Sequence, residues 1–165
     1  MDDLITIQPV EMKDIKELAA LEACCFPEEE AADEQALRQR ACAFPDSFLV
    51  MKRDGAVIGM INGCVSNASV IHDEMYADAA LHEPEGRYQT VFGLDVHPDV
   101  QHRGYAQMLM HALIERAKRA NRVGLVLTCK EELVSFYEQF GFQNMGVSAS
   151  VHGGAVWYDM LLKLA

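Results

Sequence analysis

Leu94-Asp95-Val96-His97-Pro98-Asp99-Val100-Gln101-His102-Arg103-Gly104-Tyr105-Ala106 is the stretch on which the fold turns. It joins the end of an apolar strand, closing at Val96, to a Pro-marked exit, a short polar loop and a helix. That helix carries Ala106, Leu109, Met110, Leu113, Ala117 and Ala120, one apolar stripe on a 3.6-residue period. Arg116, Lys118 and Arg119 crowd its last turns, where the negative dipole end favours cations, and Asn121 supplies a left-handed stop. A strand feeding a Gly-containing turn into a helix start is an anion cradle, because the first backbone N–H groups lack intrahelical partners. Gly104 and the small Ala106 admit a phosphate close to the backbone. No Gly-Lys-Ser/Thr follows, so this is not a P-loop, and the Rossmann glycine fingerprint is absent.

Composition narrows the class. At 165 residues, half of them apolar, one domain spanning 1–165 is expected, with enough chain to bury a core. No window approaches the run of apolar residues that a membrane span needs. Met1-Asp2-Asp3 is acidic and lacks a hydrophobic leader core, so no signal peptide is expected. The five cysteines, at 24, 25, 42, 64 and 129, are odd in number and form no CxxC pair, which points to free thiols in a reducing cytoplasm. Lys plus Arg is 14 against 25 Asp plus Glu, a net charge of −11. That balance disfavours nucleic acid as a partner and favours a cationic substrate, since negative clefts concentrate amines.

Outward from the central stretch, residues 4–8 read as a first strand and 10–25 as a helix whose face includes Ile15, Leu18, Ala19 and Glu22. Phe26-Pro27 interrupts it. Residues 31–42 read as a second helix with Arg38 and Arg40 near its end. The runs 47–52 and 56–65, joined at Arg53-Asp54-Gly55, are a hairpin. Residues 67–86 are polar and mixed, with a helical turn expected at 76–81. Strands follow at 90–96 and 123–128, the second continuously apolar and so buried on both faces. Residues 131–140 read as a helix stopped by Gly141, and 142–151 and 155–164 as a second hairpin around His152-Gly153-Gly154.

Gln101-x-x-Gly104-x-Ala106, after a strand ending Val96-x-Pro98, resembles the pyrophosphate loop of the GNAT acetyltransferases, and the order of elements matches that family along nearly the whole chain. The resemblance implies an α/β (α+β) fold: a mixed central sheet of about seven strands, splayed between the fourth and fifth, with about four flanking helices. It implies acetyl-CoA as co-substrate and no metal. Leu94, Asp95 and Val96 would hold the pantetheine arm through their backbone. Gln101, His102, Arg103, Gly104, Tyr105 and Ala106 would hold the pyrophosphate. His102 and Arg103 either touch phosphates or face solvent.

The run from Glu131 to Phe142 resembles a second family signature, one that makes Tyr137 the acid reprotonating the CoA thiolate. Periodicity alone reads Tyr137 as a core aromatic. A narrower similarity, to the arylalkylamine (serotonin-type) N-acetyltransferases, rests on Leu81-His82-x-Pro84-x-Gly86, Cys129-x-x-x-Leu133-Val134-x-Phe136-Tyr137 and Cys25-Phe26-Pro27-Glu28-Glu29-Glu30. It implies an acceptor site including Phe26, Pro27, Glu28, Thr90 and Phe92. Vertebrate members carry two histidines on the central strand; Thr90 and Phe92 stand there in this sequence, and Ser135 replaces a Pro. The group that takes the amine's proton is therefore open, with Glu28, Glu29, His72, His82 or water near Thr90 as candidates. His72-Asp73-Glu74 and His82-Glu83 lack the second His at helical spacing that a metal motif needs. Cys129 reads as an inert buried thiol.

The expected activity is direct acetyl transfer from acetyl-CoA to a primary amine, an arylalkylamine or a polyamine. Acetylation of a protein N-terminus or lysine is the alternative enzyme, and a non-catalytic CoA-binding module the alternative outside catalysis. Oligomeric state is not legible in the sequence.

Overall fold

A computed structural model describes residues 4–164, so the acidic start Met1-Asp2-Asp3 lies outside the described residues. In chain order the elements are β1 (Ile5–Pro9), α1 (Ile15–Cys25), α2 (Glu34–Ala43), β2 (Phe48–Arg53), β3 (Ala56–Asn62), β4 (Val65–Ser66) and α3 (Asp73–Ala77). There follow β5 (Tyr88–Val91), β6 (Gly93–Val96), α4 (Tyr105–Arg119), β7 (Gly124–Cys129), α5 (Val134–Glu138), β8 (Gln143–Val147) and β9 (Tyr158–Lys163). One sheet runs β1-β2-β3-β6 and the other β4-β5-β7-β9-β8. The pair β5–β7 is parallel, whereas every other pairing is antiparallel.

The two sheets are halves of one. Strand β4 continues β3 past Gly63-Cys64, and β6 continues β5 past Phe92. Thr90 N–H donates to Cys64 O at 2.8 Å and Phe92 N–H to Asn62 O at 2.7 Å, carrying the ladder across both joints. Counted this way the described residues form the seven-stranded mixed sheet expected from the sequence, with five α-helices.

Alternation along β2 explains the layering. Leu49 and Met51 face one side, where they pack with Ile61, Val96, Leu109, Met110, Leu113 and Leu125. Phe48 and Val50 face the other, packing with Ile15, Leu18, Leu37 and Met60. Helix α4 thus covers one face and α1 with α2 the other. Each fully buried Leu or Phe here contributes about 2 kcal/mol.

Several boundaries differ from the sequence reading, each for a local reason. The helix expected over 10–25 starts at Ile15 after a 3₁₀ turn, Met12–Asp14, whose buried Asp14 carboxylate pairs with Lys52 Nζ at 3.0 Å. The second helix starts at Glu34, because Asp33 Oδ1 caps it by accepting Ala36 N–H at 2.8 Å. The turn expected at 76–81 is α3 followed by a 3₁₀ turn at Ala79–Leu81. The helix over 131–140 begins as a 3₁₀ turn at Glu131–Leu133, and Gly141 at φ 102° ends the segment. Strand 90–96 is broken at Phe92. The second hairpin keeps its antiparallel pairing, but β8 and β9 are short and residues 148–157 form a long connecting strap. Among the described residues, no helix is long and apolar enough to cross a membrane.

Candidate active site

Phe92 and Gly93 together oppose the single residue Asn62, a bulge in the middle of the sheet. Before it, β5 pairs with β7 as far as Val91 opposite Leu127. After it, β6 keeps its partner β3 but parts from Thr128 and Cys129. The β3 contacts fall at Gly93, Asp95 and His97, His97 N–H donating to Ile58 O at 2.8 Å. Leu94 and Val96 therefore direct their backbone groups at the gap. Val96 O takes Cys25 Sγ–H at 3.4 Å and Gln101 Nε2–H at 3.1 Å instead of a strand partner.

On one side of this gap lies a groove of about 310 Å³ between Leu94 and Val96 and the start of α4. Gly104, at φ 85°, makes the left-handed turn that launches the helix, with nothing within 4 Å of where its Cβ would stand. The first N–H groups of a 15-residue helix thus open onto the groove, with the positive end of its dipole. Gln101, His102, Gly104, Tyr105 and Ala106 line it, as do Leu94 and Val96. Arg103 does not line it, and Asp95, expected to contribute its backbone alone, adds no side chain to it. Arg103 is exposed, and the side chain of Asp95 points to the opposite face of the sheet, toward α1, because strand side chains alternate.

On the other side is a chamber of about 330 Å³. Leu94, Leu133 and Tyr137 border both spaces, so the two meet there. Tyr137 is 9% exposed and held edge-on by Phe136 and Phe142. Among the described residues nothing bonds its hydroxyl. Burial above all, then Cys129 and Asp95, raises its pKa beyond the usual tyrosine value, so it stays a protonated phenol at neutral pH. Cys129 is also pushed up, to about 11, by burial first and Glu132 second; it remains a thiol.

Of the expected acceptor residues, Phe26 and Phe92 line the chamber. Pro27 and Glu28 are exposed outside it. Thr90 is fully buried, its hydroxyl donating to Cys64 O at 2.8 Å, and it does not reach the chamber. Glu29 and His72 are exposed elsewhere. His82 Nδ1 accepts Val65 N–H at 2.9 Å, and its pKa is lowered by burial and then by Arg122.

Residues 148–157 close the chamber. His152 stacks on Tyr76, centroids 5.2 Å apart and planes 14° from parallel, and its Nε2 meets Glu30 O at 3.2 Å. Trp157 Nε1–H donates to His152 O at 2.7 Å. Ser150 Oγ–H and Val151 N–H both donate to Asp73, and these bonds outweigh its burial to hold that carboxyl below its usual pKa.

The sequence reading missed the chamber's charged wall. Glu22 and Arg40 line it and are 5% and 6% exposed, with Asp95 fully buried beyond Glu22. Arg40 donates to Asn62 Oδ1 and to Tyr76 O, both at 3.1 Å, and lies 4.9 Å over the Phe92 ring. Burial lowers the Arg40 pKa while Glu22 raises it. Burial, then Glu22, raises that of Asp95 well above the usual aspartate value. One signal was available: Glu22 falls on the apolar face of α1.

The sequence model described as acetyltransferase (GNAT) family matches residues 15–142. Serotonin N-acetyltransferase of Mesocricetus auratus is 27% identical over 121 residues, covering 73% of this chain and 57% of that protein. The chain spans about half the length of the curated relatives it matches. Among solved structures, a GphF GNAT-like decarboxylase in complex with isobutyryl-CoA superposes with a TM-score of 0.83 at 21% identity, over 97% of this chain and 100% of that one. YncA, described as a putative acetyltransferase from Salmonella typhimurium with its cofactor acetyl-CoA, gives 0.72 at 17% identity, over 98% and 94%. At such identities these structures share the fold.

Proposed function

The chain belongs to the acetyltransferase (GNAT) family, and from that premise we propose that it moves the acetyl group of acetyl-CoA directly to the primary amine of a small arylalkylamine. The observation that carries this reading is the meeting of groove and chamber at Leu94, Leu133 and Tyr137. The groove fits the co-substrate: it pairs free N–H groups at a helix start with a strand edge that has no neighbouring strand. Acetyl-CoA supplies an activated thioester. Leu94 and Val96 hold its pantetheine amides as an added strand would, and the α4 N-terminus with Gln101, His102, Gly104, Tyr105 and Ala106 holds its pyrophosphate. Tyr137 gives its phenolic proton to the leaving sulfur.

The chamber supports a small acceptor. Its mouth is crossed by the strap, whose His152 touches Glu30 and whose Trp157 lies under Lys130, so a peptide laid across the surface would have to displace both. Phe26, Phe92, Tyr76 and Trp157 put aromatic surface on the chamber wall for an aryl group, and the protein's net charge of −11 favours a cationic amine. Holding both reactants in one ternary complex supplies much of the rate.

The test is thiol release from acetyl-CoA with phenethylamine, tryptamine, spermidine and a lysine peptide. Turnover with the aromatic amines is expected. Turnover with spermidine or peptide alone would retain the acetyltransferase and replace the acceptor, and tight acetyl-CoA binding without turnover of any acceptor would favour a binding module.

A further inference from the structure

Glu22 uses its two carboxyl oxygens differently. Oε2 accepts Ala32 N–H at 2.9 Å and anchors the loop after α1. Oε1 has no donor among the described residues, although the side chain lines the chamber and Glu22 is only 5% exposed. Asp95 has no such donor for either oxygen and is fully buried. The unpartnered atoms converge on Gly93. A Cβ built there would stand 3.3 Å from Asp95 Oδ1, 3.7 Å from Glu22 Oε1 and 3.9 Å from Asn62 Nδ2, so the glycine leaves room beside the bulge.

Two acids facing each other in a dry interior cannot both be ionised. A single proton held between them, with Arg40 alongside, brings the three groups to zero net charge. The other titratable groups facing the pair are Cys25 from α1 and Tyr137 from α5, and neither supplies a second cation. A buried acid pair with no donor beyond its shared proton costs stability, and such costly groups cluster where chemistry is done.

We propose that Glu22, backed by Asp95 as a positioning residue, is the proton acceptor for the incoming ammonium group. This rests on the amine acetyltransferase reading above. The ammonium gives one proton to Glu22 Oε1. The freed nitrogen lone pair forms the C–N bond to the thioester carbonyl carbon, the C–S bond breaks, and its electron pair leaves on sulfur. Tyr137 protonates that sulfur and is restored by the second proton lost from nitrogen. The proton on Glu22 returns to solvent after the amide leaves.

The experiment compares wild type with Glu22→Gln, which keeps an oxygen for Ala32 N–H, on two acceptors. Phenethylamine is an ordinary alkyl ammonium that, like a lysine, titrates near ~10; β,β-difluorophenethylamine is largely uncharged at neutral pH. With phenethylamine the variant is expected to lose about 10²-fold or more in kcat/KM near pH 7, the size of a general-base contribution, and to regain about tenfold per pH unit. With the fluorinated amine the loss shrinks to a few-fold, and acetyl-CoA affinity is unchanged throughout. Equal losses on the two amines, or none, overturn the assignment. Should the variant not fold, the wild-type profile decides: kcat/KM for phenethylamine that climbs steadily to the amine's own pKa rules out an internal acceptor. Wild type that acetylates neither amine overturns the proposed function and this role with it, whereas an active wild type with an unaffected variant overturns this role alone.

Discussion

Lys130 Nζ sits 2.8 Å from Glu30 Oε2 and 5.7 Å from the centroid of the Trp157 ring, so one ammonium ties the loop after α1 to the strap before β9. The Glu30 side chain is 9% exposed, which shields the pair from screening. Lys130→Met keeps the stem and removes the charge. It is expected to raise KM for the amine about fivefold, equivalent to about 1 kcal/mol, with kcat and acetyl-CoA affinity unchanged. Steady-state kinetics decide, and an unchanged KM would separate the latch from the acceptor site.

Tyr137→Phe removes the only polar atom that the side chain brings to the junction of groove and chamber. The expected result is a fall in kcat of about 10²-fold or more, with acetyl-CoA affinity by calorimetry unchanged, because the ring contacts survive. Since burial holds the wild-type phenol protonated beyond its ordinary pKa of 10.0, no alkaline loss of its acid role is expected at pH ~9. Full turnover by the variant would remove Tyr137 from the reaction.

Asp95 makes stability depend on pH in an unusual direction. The folded chain holds the Asp95 proton to higher pH than the unfolded chain, whose value lies near 3.8. Stability from this group is complete below that value and declines as pH rises toward the raised folded value. Asp95→Asn cannot lose a proton, and its amide can donate to Glu22. Melting temperatures across pH are expected to show wild type losing ground to the variant as pH rises. A variant that melts lower at every pH would contradict a protonated Asp95.

Leu109 carries the packing of α4 against the sheet. It is fully buried, and its Cδ1 lies 3.0 Å from where a Cβ on Gly59 of β3 would stand. Leu109→Ala is expected to cost about 2–5 kcal/mol, measured by denaturant unfolding. A loss below about 1 kcal/mol would mean that the helix settles into the space.

Periodicity made α4 legible because its stripe has one buried face and no competing pattern. The bulge at Phe92 is hidden for the opposite reason: residues 90–96 are nearly all buried, Thr90 and Asp95 included, so no alternation marks where the ladder skips. The strap has strand-like sequence at Val151, Ala155 and Val156, yet Val151 and Val156 are 75% and 63% exposed. Those valines pack on little, and the strap is held by Asp73, Glu30 and His152 instead. Arg40 was read as a cation suited to the end of its helix, because nothing in a sequence shows that the chain folds Tyr76 and Phe92 around it. Asp95 was read through its backbone, and its side chain acquires meaning only beside Glu22, on a helix far away in the chain.

The bulge at Phe92 has a consequence for how such a chain diversifies. By withholding a strand partner from Leu94 and Val96, it turns main-chain groups into the docking edge, and main-chain groups are the same whatever side chains the positions carry. The groove can then tolerate extensive sequence drift, while every change in Glu22, Arg40, Tyr76 or Trp157 alters the chamber. On the proposed function, new acceptors can arise by substitution on one side of a single gap without relearning the other.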